Sequence, residues 1–104
     1  MQRGPELREP AQCGPELRGR DLRYLLTLVL HESRHPMTVA QLVEAAEVSG
    51  RSIAGRASKS VSDALRWEIA RRRVIRVGRS LYAAGTLPRS TEWWIRKQVR
   101  DRLA

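Results

Sequence analysis

Apolar residues first recur with helical spacing at Leu22, Leu25, Leu26 and Val29. Positions i, i+3, i+4 and i+7 share one face of an α-helix, so the pattern predicts a helix from about Gly19 to Ser33 with that face on a core. Asp21 falls in the first turn, where a carboxylate suits the positive end of the helix dipole. His35-Pro36 ends the helix, because proline disfavours helical geometry in the residue before it. A second helix begins at Thr38. Thr38-Val39-Ala40-Gln41 has the capping-box form, with a hydroxyl at the N-cap and Gln at the third helical position. Val39, Leu42, Val43 and Ala46 repeat the apolar spacing, and Ser49-Gly50 stops the helix near Val48.

Residues 49–57 read as a loop with two Gly and two Arg, anchored to the core by Ile53, its one large apolar residue. A third helix is predicted from near Ser58 to near Arg72. Val61, Ala64, Leu65 and Ile69 form its buried stripe, and Lys59, Ser62, Asp63, Arg66 and Ala70 lie on the opposite side, with Trp67 on the flank. The period then changes. Arg73-Val74-Ile75-Arg76-Val77 is rich in β-branched residues, Gly78-Arg79-Ser80 is a tight turn, and Leu81-Tyr82-Ala83-Ala84 is the return strand of a hairpin. Gly85 to Pro88 link to a last helix, capped by Ser90 or Thr91, in which Ile95, Val99 and Leu103 are spaced by four. The fold class is therefore α+β, mostly α: a three-helix core, a β-hairpin and an extra C-terminal helix.

Residues 1–19 read as a flexible tail. Within it Gly4-Pro5-Glu6-Leu7-Arg8 recurs as Gly14-Pro15-Glu16-Leu17-Arg18. Two short copies are too few for a solenoid. They mark a flexible segment or, alternatively, a peptide docking motif.

Charge changes the picture most. The chain carries a net charge of +9 on 104 residues. Residues 1–47 hold six Arg against seven Asp/Glu, a sum of −1, and residues 48–104 hold fourteen Arg/Lys against four Asp/Glu, a sum of +10. An asymmetry of this size points to an acidic partner; the plain alternative is a solvated basic face. A single cysteine, Cys13, excludes an intramolecular disulfide. Two His and that Cys, far apart in sequence, give no zinc spacing. The sequence has no nucleophile–base pair, no Gly-rich phosphate loop before a Lys and no HExxH pattern, and Pro36 keeps His31 and His35 from sharing a helical face, so no enzyme, metal or cofactor is expected. No run is long enough to span a membrane, and no secretory signal is seen. The expectation is a cytoplasmic, nucleoid-associated protein with no small-molecule ligand.

The order helix, helix, helix, hairpin resembles the winged helix-turn-helix family of DNA-binding domains over residues 20–84. The likeness rests on Met37-Thr38-Val39-Ala40-Gln41-Leu42-Val43 as positioning helix. Ser58-Lys59-Ser60-Val61-Ser62-Asp63-Ala64-Leu65-Arg66-Trp67 corresponds to the recognition helix, and Arg73-Val74-Ile75-Arg76-Val77-Gly78-Arg79-Ser80-Leu81-Tyr82 to the wing. The wing is similar to that of bacterial transcriptional regulators and AbiEi-type antitoxins. The resemblance implies a small DNA-binding regulator of transcription with double-stranded DNA as its partner.

Ser58, Lys59, Ser60 and Ser62 then lie where recognition-helix residues reach base edges and phosphate, and Arg66 is suited to a guanine. Asp63 either accepts from cytosine or, the favoured reading, pairs with Lys59 or Arg66. Arg76 and Arg79 fit phosphate or minor-groove contacts, and Arg51 and Arg56 fit backbone contacts. Two features depart from the family. The loop before the third helix, about ten residues, exceeds the usual tight turn. Trp67 is unusual near a recognition face, where packing on the wing or first helix is favoured over base stacking. In the last helix Trp93, Trp94, Ile95, Val99 and Leu103 form an apolar edge suited either to a homodimer or to packing on the first helix. A weakly specific nucleoid-type binder and a protein- or RNA-binding module remain the alternatives.

Overall fold

A computed structural model describes residues 16–48 and 50–103 of the chain. Among these it is α+β and mostly helical, with four helices and a small three-stranded antiparallel sheet. The elements are α1 (Gly19–Ser33), β1 (Met37–Thr38), α2 (Val39–Glu47), α3 (Ala57–Ala70), β2 (Val74–Gly78), β3 (Leu81–Ala84) and α4 (Arg89–Leu103). The first copy of the repeat, Cys13 and most of the expected tail lie outside the described residues.

Helix α1 has its predicted bounds and ends at Arg34, a left-handed residue with φ 61°. The capping box of α2 is formed: Gln41 N–H donates to Thr38 Oγ1 over 3.1 Å, and Thr38 N–H donates to Gln41 Oε1 over 2.9 Å. The main core joins Leu22, Leu26 and Leu30 of α1 to Leu42 and Ala46 of α2 and to Val61, Ala64 and Leu65 of α3. Ile53 anchors the α2–α3 loop in it, and Val74 brings in the sheet. Burying a Leu side chain of this kind contributes about 1.5–3 kcal/mol.

Four expectations are corrected. The tail does not reach residue 19: Leu17 is fully buried in the core. Its N–H donates to Ser52 O over 2.8 Å, and its carbonyl accepts from Ala54 N–H over 2.9 Å, a parallel bridge to the loop at Ile53. The long loop before α3 is thus held at its middle by chain that precedes α1. Secondly, the sheet has a third strand. β1 pairs with β3 and β3 with β2, in the order β1-β3-β2, with Met37 opposite Tyr82 and Arg76 opposite Tyr82 on the other side. Two residues are too few to show an alternating pattern. Thirdly, α3 runs from Ala57 to Ala70, not to Arg72; Arg72 takes a left-handed φ of 63°, which turns the chain into the hairpin. Lastly, neither Ser90 nor Thr91 caps α4, which is helical from Arg89 directly after Pro88.

The hairpin turn closes at Arg79-Ser80, and the register slips between Arg76 and Gly78, a bulge at Val77. The segment after β3 is tied back to the start of β2, with Gly85 N–H donating to Arg73 O and Thr86 N–H to Arg72 O, both over 2.8 Å. A Cβ at Gly85 would stand 2.5 Å from the Arg72 carbonyl oxygen, so only glycine fits this close approach.

Candidate nucleic-acid interface

Helix α3 places most of its side chains as the pattern predicts, except that Ile69, expected in the buried stripe, is half-buried and Glu68 is buried instead. Val61, Ala64 and Leu65 are buried, whereas Ser58, Lys59, Arg66 and Ala70 are exposed and Ser62 and Asp63 half-buried. Nothing acidic stands in its first turn and no side chain caps it. Its first amide groups therefore lack a side-chain acceptor, the setting in which anions bind.

Asp63 pairs within its own helix. Lys59 Nζ donates to Asp63 Oδ2 over 2.9 Å, and Arg66 Nη1 lies 3.9 Å from Oδ1. The Lys59 hydrogen bond, helped by the charges of Lys59 and Arg66, holds the Asp63 carboxyl below its ordinary value. Arg66 keeps its side chain 81% exposed. Ser60 behaves differently from its neighbours: its hydroxyl donates to Ala54 O over 2.6 Å and fixes the loop to the helix, so that proton is already committed.

In the preceding loop Arg56 is exposed and Arg51 half-buried. On the hairpin Arg79 is exposed at the turn, and Arg76 Nε donates to Gly78 O over 3.2 Å, holding the guanidinium along the bulge. Ile75 and Val77 are exposed beside it. Arg72, absent from the sequence candidates, is exposed and lines one hollow with Ile69, Ile75 and Arg76. Its signal was only its place in the run Arg71-Arg72-Arg73, which the sequence does not sort by direction.

Trp67 is 55% exposed. The guanidiniums of Arg23 and Arg71 lie 5.2 and 5.1 Å from its ring centroid, within cation–π range. Trp67 therefore meets α1 through the guanidinium of Arg23.

Beneath α3 lies a polar cluster that the sequence reading missed. Glu68 is fully buried. Its Oε1 accepts from Thr27 Oγ1 over 2.9 Å and from Arg73 Nη1 over 3.4 Å. Arg23 Nε lies 3.3 Å from Oε2 but makes no hydrogen bond there, so that pair is held by charge alone. The cluster ties α1, α3 and the residue before β2 together. The signal was a carboxylate on the Leu65–Ile69 face of an otherwise basic helix.

The apolar edge of α4 is divided. Ile95 is fully buried within the chain, since α4 packs on α1, so Ile95 cannot be part of a dimer surface. Val99 is half-buried, Trp93 and Trp94 are exposed, and the Leu103 side chain is outside the described set. Between the helices, Arg96 Nη1 donates to Glu32 Oε2 over 2.6 Å, and Arg102 donates to both Asp21 carboxylate oxygens over 2.7 and 3.3 Å. Within α4, Arg96 also pairs with Glu92 and Lys97 with Asp101. The basic character of α4 is thus largely neutralised.

Among the described residues no group of three or more His, Cys, Asp or Glu is placed to hold a metal, and no helix is long and apolar enough to cross a membrane. Compared with protein-family models, with curated proteins and with solved structures, the chain finds no match.

Proposed function

We propose that the chain is a winged helix-turn-helix protein that binds duplex DNA, with α3 as the recognition helix and the β2–β3 hairpin as the wing. One observation carries this reading. Once ion pairs are assigned, one continuous stretch of chain, from the α2–α3 loop through α3 to the hairpin, holds several basic side chains with little or no compensation, whereas Arg20, Arg34 and Arg89 are the unpaired arginines outside it among the described residues. Arg56, Arg72 and Arg79 have no ion-pair partner among the described residues, and Arg66 has only the distant Asp63. The arginines of α4 at 96 and 102 are taken up by acids of α1. A helix with a polar outer face and an N-terminus that no side chain caps suits the major groove, and a basic hairpin beside it suits phosphate or the minor groove.

In this reading Ser58, Lys59, Ser62 and Arg66 face the bases and nearby phosphates, and Arg56, Arg72, Arg76 and Arg79 hold the backbone. Asp63 orients Lys59 and Arg66. Ser60 positions the loop and is not a contact. The process served is regulation of transcription in a bacterial-type setting, the protein acting as a dimer only if Trp93 and Trp94 recruit a second copy.

Selection of bound sequences from a random duplex pool, followed by titration on the selected and on scrambled duplexes, tests the reading. A selected site bound more tightly than its scramble is expected. Arg66→Ala should then cost roughly 1–3 kcal/mol of discrimination, while Arg79→Ala weakens both duplexes alike. Equal affinity for both duplexes would leave only a weakly specific, nucleoid-type binder, and no binding at low salt would overturn the DNA reading altogether.

A further inference from the structure

Leu17 occupies a slot against the α2–α3 loop, and the pentapeptide that contains it occurs twice in the chain. In Glu16-Leu17-Arg18, Leu17 makes an isolated parallel bridge to the α2–α3 loop at Ile53. The recognition consists of two backbone hydrogen bonds, to Ser52 O and from Ala54 N–H, and one fully buried leucine. Backbone bonds do not read sequence; the buried side chain does. Glu16 and Arg18 are exposed and pair with each other over 3.0 Å, so they add nothing that depends on a particular neighbour in the core. Everything the slot recognises is therefore present a second time, ten residues earlier, in Gly4-Pro5-Glu6-Leu7-Arg8.

We infer that the first copy, residues 4–8, is an alternative occupant of the Leu17 slot in the same chain. In the second arrangement Leu7 replaces Leu17 and residues 9–18 form a loop before α1. The two arrangements bury the same side chain and make the same backbone bonds. They differ mainly by the closure of that ten-residue loop, which disfavours the first copy by roughly thirty-fold. Leu17 therefore holds the slot ordinarily, and any change that weakens its docking hands the slot to Leu7. The segment so exchanged is bonded directly to the loop that leads into α3.

Urea unfolding of the full chain with Leu7→Asp, Leu17→Asp and both together tests this. An aspartate cannot occupy the dry slot, so each substitution removes one occupant. Leu7→Asp alone leaves the folding equilibrium unchanged. Leu17→Asp lowers it by roughly thirty-fold, the loop term. The double variant, with no leucine for the slot, falls by roughly a further ten-fold or more. Methyl NMR of labelled leucine reads the same exchange directly: one buried slot leucine persists in Leu17→Asp and disappears in the double variant. Equal loss in Leu17→Asp and the double variant, including complete unfolding of both, overturns the inference. So does destabilisation by Leu7→Asp alone, which would give the first copy a site of its own. A rescue in Leu17→Asp that fades on dilution would place the first copy on a second chain and overturn the same-chain assignment.

Discussion

At Glu68 the side chain contradicts its surroundings: a carboxylate with no exposure, on the core face of α3. It persists because two donors, Thr27 and Arg73, and the nearby charge of Arg23 converge on it from three parts of the chain. Removing one member of a buried ion network costs more than the network contributes, since the partners are left charged and dry. Glu68→Ala is therefore expected to destabilise the domain by about 3–5 kcal/mol, measured by urea unfolding; a loss no larger than that of an exposed-residue control would mean that water reaches Arg23 and Arg73 easily. A second residue works by shape alone. Gly85→Ala sets a methyl group 2.5 Å from the Arg72 carbonyl, against backbone that two hydrogen bonds hold in place. It is expected to cost about 1–3 kcal/mol. Retention of full stability would show that the Gly85–Arg72 approach opens freely.

At the scale of elements, α1 carries two faces. Leu22, Leu26 and Leu30 serve the main core, while Asp21, Leu28 and Glu32 lie on the side that meets α4. The first face was legible in the sequence because its spacing is purely apolar. The second was not, because a stripe of acid, leucine and acid has no apolar period, and its partners stand more than sixty residues away. For the same reason β1 escaped notice and Leu17 was left in the tail, each recognisable only from its partner strand or slot. The outer face of α3 was readable, since five of its positions follow one helical row. Ser60 was not, because its partner is a backbone carbonyl that any residue would supply. The α4 pairs have a pH signature. Hydrogen bonds from Arg96 and Lys97 hold Glu92 and Asp101 below their ordinary values of 4.5 and 3.8. Groups depressed on folding stabilise the folded chain above their unfolded values, and that contribution fades as pH falls through the lower folded ones. Thermal melts should therefore show the midpoint falling as pH drops below about 4.5. The slope should be shallow, because these exposed pairs are screened by water. Glu92→Gln should flatten part of it; an unchanged profile would remove that pair from the linkage.

For the molecule as a whole, 20 Lys/Arg against 11 Asp/Glu leave a net charge of +9, and the internal ion pairs decide which cations carry that excess. The uncompensated part is what counterion release reads. Each phosphate neutralised on a duplex contributes a slope of about −0.9 in log affinity against log salt. If the loop, α3 and hairpin form the interface, Arg72→Ala, Arg76→Ala and Arg79→Ala should each reduce that slope by about one unit. Lys97→Ala and Arg102→Ala should leave it unchanged, although they delete the same formal charge, since their cations are already held by Asp101 and Asp21. Net charge alone predicts that all five variants behave alike. The comparison therefore separates an interface from a general attraction. A slope that falls equally in both sets would return the protein to a diffusely basic binder, and one that falls only in the α4 set would move the interface to α4.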